Sequence, residues 1–133
     1  MNDEQRLERL DEEIEKLREL AVDHIIIVEG INDKKALISL VMNATFLMVQ
    51  QEGGPIRIAE TIYEKKRKAV ILTDWDDKGD IIAAELKRNL SALCVPFDMS
   101  VRSRLKDICV KDIKDIESIV SLYERLSKNE DCI

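Results

Sequence analysis

The sequence predicts an α/β protein: a Rossmann-like, open, mainly parallel four-stranded sheet flanked by helices. Three observations lead there. Short apolar runs alternate along the chain with stretches of helical spacing. Two of those runs, His24–Val28 and Ala69–Leu72, are almost unbroken aliphatic residues, as strands buried on both faces are. The chain has 133 residues, 45% of them hydrophobic but only 4% aromatic, so one aliphatic core is expected.

The elements follow in order. Residues 2–20 read as a helix, because Leu7, Leu10, Ile14, Leu17 and Ala21 recur at spacings of three and four. Acids crowd its start, and Lys16 and Arg18 lie near its end, which suits the helix dipole. This unit, residues 1–22, is expected either to lie on the sheet or to act as a dimer arm. The main domain is expected over 23–110, with a C-terminal helix over 111–133 packed on it. Within the domain, His24–Val28 is the first strand. A helix from Asp33 to Asn43 buries Ala36, Leu37, Leu40 and Val41. Thr45–Val49 is the second strand, and Gln50–Pro55 is a turn whose proline suits a first helical position. A third helix spans Ile56–Lys66, then comes the strand Ala69–Leu72. The next helix runs from Asp80 to Leu90 on Ile82, Leu86 and Leu90. Ala92–Val95 reads as a fourth strand closed by Pro96. Val101–Asp107 is basic and helical in pattern. Lys111–Ser127 is the last helix, with Ile113, Ile116, Val120 and Tyr123 on one face.

Composition narrows the function. Lys and Arg number 21 against 27 Asp and Glu, a net charge of −6, which argues against tight non-specific binding to phosphate backbones. It leaves room for a metal site, because acidic ligands add to the negative count. The run Lys65–Lys68 closes a predicted helix, where cations are favourable for structural reasons. No stretch reaches the roughly 20 apolar residues of a membrane span. The first residues read as a charged helix rather than a signal peptide, so a cytoplasmic protein is expected. Cys94, Cys109 and Cys132 form no CxxC pair; they are expected to be reduced, with Cys94 and Cys109 in the core and no zinc site. The single histidine, His24, precedes its strand and so falls at the end away from the expected site.

Two strands end in acids. His24–Val28 leads into Glu29-Gly30, and Ala69–Leu72 into Thr73-Asp74-Trp75-Asp76, with Gly79 soon after. In open α/β sheets, ligands bind beyond the carboxyl ends of the strands. If the two strands are neighbours, Glu29, Asp74 and Asp76 converge. Like charges brought together call for a proton or a cation, and Mg²⁺ accepts such hard oxygen ligands. Gly30 and Gly79 are expected to make structural turns. Lys34, in a first helical turn, and Arg102, in the basic segment, are candidate phosphate contacts. Asp77 and Asp98 are candidate neighbours. Trp75 is open to three roles: stacking on a base, shielding the site, or packing on a nearby loop.

Val28-Glu29-Gly30 with Asn32-Asp33, followed by Thr73-Asp74-Trp75-Asp76 and Gly79, resembles the Toprim domain over roughly Ile25 to Phe97. That domain is shared by topoisomerases, bacterial-type primases, OLD-family nucleases, RecR-type repair proteins and an RNA maturase. The chain is most similar to the small standalone Toprim proteins of archaea and some bacteria. The resemblance implies a Toprim fold in which Asp74 and Asp76 hold Mg²⁺ (Mn²⁺ as a substitute) and Glu29 joins them or acts as general acid and base. It implies hydrolysis or nucleotidyl transfer on RNA or DNA. The alternative is a non-catalytic binding or scaffold module with a protein partner, as RecR-type proteins exemplify. Maturase-type members often carry Lys after the Glu-Gly pair, where this chain has Ile31. A complete topoisomerase is not expected, because Tyr63 and Tyr123 fall on predicted helices away from the acids. A response-regulator receiver is a further α/β reading, but receivers carry their acidic pair after the first strand.

Overall fold

The aliphatic runs form strands and the periodic stretches cover them. The computed structural model describes residues 1–131. Helix α1 (Asp3–Leu20) precedes β1 (His24–Val28). Then come α2 (Ile31–Ile38), β2 (Thr45–Met48), the single-turn α3 (Val49–Glu52), α4 (Pro55–Glu64) and β3 (Lys68–Ile71). The chain continues through α5 (Asp77–Ala92), β4 (Phe97–Asp98), α6 (Ser100–Cys109) and α7 (Ile119–Asp131). Helix α1 starts on a capping box: the Asn2 side chain accepts from the Gln5 backbone N–H, and the Gln5 side chain returns the bond.

The four strands are all parallel, in the order β2-β1-β3-β4. Ile26 stands beside Phe46 on one side and Val70 on the other. Because strand side chains alternate, each run feeds two cores. Ile26, Val28, Val70 and Leu72 pack with α1, α2, α6 and α7. Ile25, Ile27, Ala69 and Ile71 pack against Ile58, Ile62, Leu86 and Leu90 of α4 and α5. The result is a three-layer α/β sandwich with a doubly covered sheet.

Several boundaries depart from the sequence expectation. Helix α5 opens at Asp77 rather than Asp80, so Gly79, expected to turn the chain ahead of that helix, lies inside its first turn. Helix α2 starts at Ile31 and stops at Ile38 instead of running from 33 to 43. Val49 opens α3 instead of ending a strand, and Gly53 closes that turn at a left-handed φ of 89°. The expected strand Ala92–Val95 is absent. Helix α5 runs to Ala92, Cys94 takes a φ of 56°, and the fourth strand is Phe97–Asp98, after Pro96. The last helix begins at Ile119 rather than Lys111, because residues 110–118 form a strap bound to the end of β3. Cys109 is buried as expected but Cys94 is exposed; Cys132 lies outside the described residues. Among the described residues, no helix is long and apolar enough to cross a membrane.

Candidate functional site

The sheet order creates one switch point. From β1 the chain crosses to β2 on one side, then returns over β1 to β3 on the other. The crevice beyond the carboxyl ends of β1 and β3 is where open α/β sheets bind ligands. Glu29 leaves β1 at this crevice, and Asp74 follows β3. Pairing extends past the strand, with the Leu72 N–H donating to the Ile27 carbonyl at 2.9 Å. The two acids then meet: Glu29 Oε2 accepts the Asp74 N–H at 2.8 Å.

Each carboxylate has a second task. Asp74 Oδ1 accepts the Ile116 N–H of the strap at 2.9 Å. Asp76 caps α5, its Oδ1 accepting the Gly79 N–H at 2.7 Å, and it remains exposed. Asp33 is a further acid at the site, which the sequence reading places within the Toprim-like motif but gives no role beyond a helix start. It is buried, and its Oδ2 accepts the Gly30 N–H at 3.0 Å. The helix position three residues past a Glu-Gly pair was the available signal.

The acids feel one another. Burial, helped by Asp74 and Asp76, pushes Glu29 up to about 7. Burial and the charges of Asp74, Glu117 and Asp115 push Asp33 to about 6. The strap therefore brings Asp115 and Glu117 into the same negative field.

The surrounding groups hold the motif in place. Thr73 is fully buried and donates its Oγ1 hydrogen to the Gly79 carbonyl at 2.8 Å. A Cβ on Gly79 would lie 1.9 Å from the Asp74 carbonyl oxygen, so only glycine lets α5 approach this closely. Trp75 takes the packing role. It is buried, and its Nε1–H donates to the Ile113 carbonyl at 2.8 Å while its backbone N–H donates to Lys114 at 3.0 Å. Arg102, expected as a phosphate contact, is instead buried. It donates from Nε to Thr73 O at 3.0 Å, and from Nη2 to Asp74 O and Asp80 Oδ1, both at 2.6 Å. Lys34 is half-buried in the first turn of α2, next to Asp33. Asp98 caps α6 through Ser100 and Val101, Asp77 is exposed, and His24, the first residue of β1, pairs with Asp23 at the end of the sheet away from the acids.

The strap has its own anchor. Arg6 is buried on α1; it donates from Nε to the Ile108 carbonyl at 3.2 Å and pairs with Asp112, which Arg125 of α7 also reaches. A groove of about 720 Å³ opens elsewhere, between α1 and α6, lined by Glu8, Glu12, Glu13 and Arg104 but by no switch-point carboxylate.

With this geometry in view, known proteins give a family. The chain is 34% identical to a UPF0292 protein of Methanosarcina barkeri over 122 residues, 91% of this chain and 85% of that one. The chain belongs to the UPF0292 family. A UPF0292 protein of Thermococcus gammatolerans is 36% identical over 118 residues, covering 89% of this chain and 86% of its own length. A solved structure of a protein from Aquifex aeolicus matches with a TM-score of 0.69 at 30% identity, covering 82% of this chain and 96% of that chain. This match supports the α/β fold of this UPF0292 member. No protein-family model matches the chain.

A hard divalent cation fits the donor chemistry of Glu29, Asp74 and Asp76. All the available atoms are carboxylate oxygens; the upward displacement of Glu29 comes first from burial, with smaller contributions from Asp74 and Asp76. Among the described residues, however, no three acidic, histidine or cysteine side chains stand in a ready ligand arrangement. Glu29, Asp74 and Asp76 each hold a backbone N–H instead.

Proposed function

We propose that this chain is a Toprim-like protein that holds Mg²⁺, or Mn²⁺, between Glu29, Asp74 and Asp76 and acts on nucleic-acid phosphodiesters. The reaction is hydrolysis or nucleotidyl transfer on RNA or DNA, in a cytoplasmic setting. One observation carries this reading: acids 45 residues apart in sequence meet at the switch point, Glu29 against the Asp74 backbone, with Asp76 two residues further on. A cation held there would supply Lewis-acid chemistry, polarising a phosphodiester oxygen and activating water. Asp74 and Asp76 hold it. Glu29 either joins them or, standing off the cation, acts as general acid and base; burial in the metal-free protein already raises it towards the neutral range. Lys34 offers a cation to a phosphate from the first turn of α2.

The engagement of all three carboxylates with backbone N–H groups favours a second reading. In it, the same acids are structural, and the chain is a Toprim-like scaffold for a protein partner or another copy of itself. Calorimetric titration with Mg²⁺ and Mn²⁺, followed by nuclease assays of wild type, Glu29→Gln and Asp74→Asn, separates the two. The first reading expects metal binding, and turnover lost in both variants. Cation uptake without turnover in any of the three proteins supports the scaffold. Equal turnover in all three rejects the assigned residues.

A further inference from the structure

Arg102 has three bonds at the motif, and their placement says more than that it is satisfied. Carbonyls that leave the end of a strand need donors when no neighbouring strand continues. Strand β3 ends at Ile71, and β4 contributes only two residues beside it. The guanidinium supplies donors to two successive carbonyls further along the exit, Thr73 and Asp74, from one planar fork.

A peptide group is planar and trans, so its C=O and N–H point in opposite directions. The Thr73 carbonyl and the Asp74 N–H belong to one such group. Arg102 Nε holds the first and Glu29 Oε2 the second. The Asp74 carbonyl and the Trp75 N–H belong to the next group. Arg102 Nη2 holds the first and the Lys114 carbonyl the second. Both peptide planes flanking Asp74 are thus gripped at both ends, and Arg102 is common to the two. Fixing two successive planes fixes φ and ψ of the residue between them, and with them the direction of its Cα–Cβ bond.

We infer that Arg102 is the positioning residue of the switch-point site: it sets the backbone of Asp74 and so aims the Asp74 carboxylate. Its cationic fork also draws in Asp80, which ties the first turn of α5 to the same point. The consequence for a cation rests on the function proposed above; the backbone grip does not. Arg102→Lys keeps the charge but replaces the planar fork with a point donor.

Two measurements test this. In the metal-free protein, amide hydrogen exchange is compared between wild type and Arg102→Lys. The inference expects the Asp74 and Trp75 amides to exchange at least tenfold faster, with amides of β1 unchanged. Equal protection at 74 and 75 in a folded variant overturns it. Should the variant fail to fold, the wild-type Arg102 Nε–H decides: slow exchange supports the grip, and exchange as fast as free arginine overturns it. Calorimetric titration with Mg²⁺ follows. At least tenfold weaker binding in Arg102→Lys, partly restored when Arg102→Ala is given methylguanidinium, supports the aiming role. Binding within twofold of wild type overturns that role. Wild type that binds no Mg²⁺ removes the proposed cation function and the aiming claim with it, while the exchange result still stands for the backbone grip.

Discussion

Substituting Gly79 by alanine separates two physical effects of opposite sign. Gly79 lies inside α5, where an isolated-helix view predicts that Gly→Ala stabilises by up to about 1 kcal/mol. The tertiary structure predicts the reverse. The new Cβ would sit 1.9 Å from the Asp74 oxygen and 2.5 Å from its carbonyl carbon, roughly 1–2 Å short of an ordinary contact. Both atoms are backbone, held by Arg102, so neither swings aside. Relief requires α5 to move outward, which stretches the buried bond from Thr73 Oγ1 to the Gly79 carbonyl. Overpacking costs about 1–3 kcal/mol, and an unmet buried polar group about 1–3 kcal/mol more. After the helix-propensity gain, the net is a destabilisation of about 1–5 kcal/mol. Urea unfolding followed by far-UV circular dichroism measures it as a lower midpoint at unchanged slope. A Gly79→Ala protein as stable as wild type, or more so, would refute the close approach of α5 to the motif.

Two further predictions concern the acids and the strap. Glu29 titrates near 7 when folded against 4.5 for an ordinary glutamate, so in the metal-free protein the folded state keeps a proton that the unfolded chain has lost. Stability therefore falls as pH rises from about 4.5 to about 7, with Asp33 adding the same sign between 3.8 and about 6. Thermal unfolding across this range is expected to show that slope in wild type and a flatter profile in Glu29→Gln; parallel profiles would remove Glu29 as its source. Trp75→Phe deletes the indole N–H that reaches Ile113, leaving a carbonyl without its donor at a cost of about 1–3 kcal/mol. Faster amide exchange at Ile116 is expected with it, and unchanged protection there would show that the indole does not secure the strap.

What the sequence disclosed depended on where the deciding contacts lay. Strand β1 was legible to the residue, because an Ile-rich run buried on both faces has few other uses. Glu29 and Asp74 were legible as strand-end acids, since a parallel sheet places every such end on one edge. The fourth strand was misplaced because Ala92–Val95 is apolar, yet Ala92 continues the turn of α5, and Val95 plugs the core beneath it. The true strand is two half-buried residues, Phe97 and Asp98, too short to show alternation. The helix expected from Lys111 has the right spacing at Ile113, Ile116 and Val120. Bonds to Asp74 and Trp75 override it, and they come from residues roughly forty positions away. Arg102 was misread for the same reason. A first-turn arginine looks the same whether it meets a phosphate or two carbonyls, and here the carbonyls lie 29 and 28 residues back.

The strap ties residues late in the chain to an earlier motif, and Asp112 on it is also gripped by Arg6, 106 residues before it. Residues 1–76 contain every proposed ligand but not the strap partner of Asp74. Only when residues 110–118 arrive does Asp74 gain its Ile116 partner, and the same stitch draws the first helix over the last. The shape of the motif is therefore a long-range property: the aim of Asp74 depends on a contact 42 residues further along, and the same strap is pinned to the first helix.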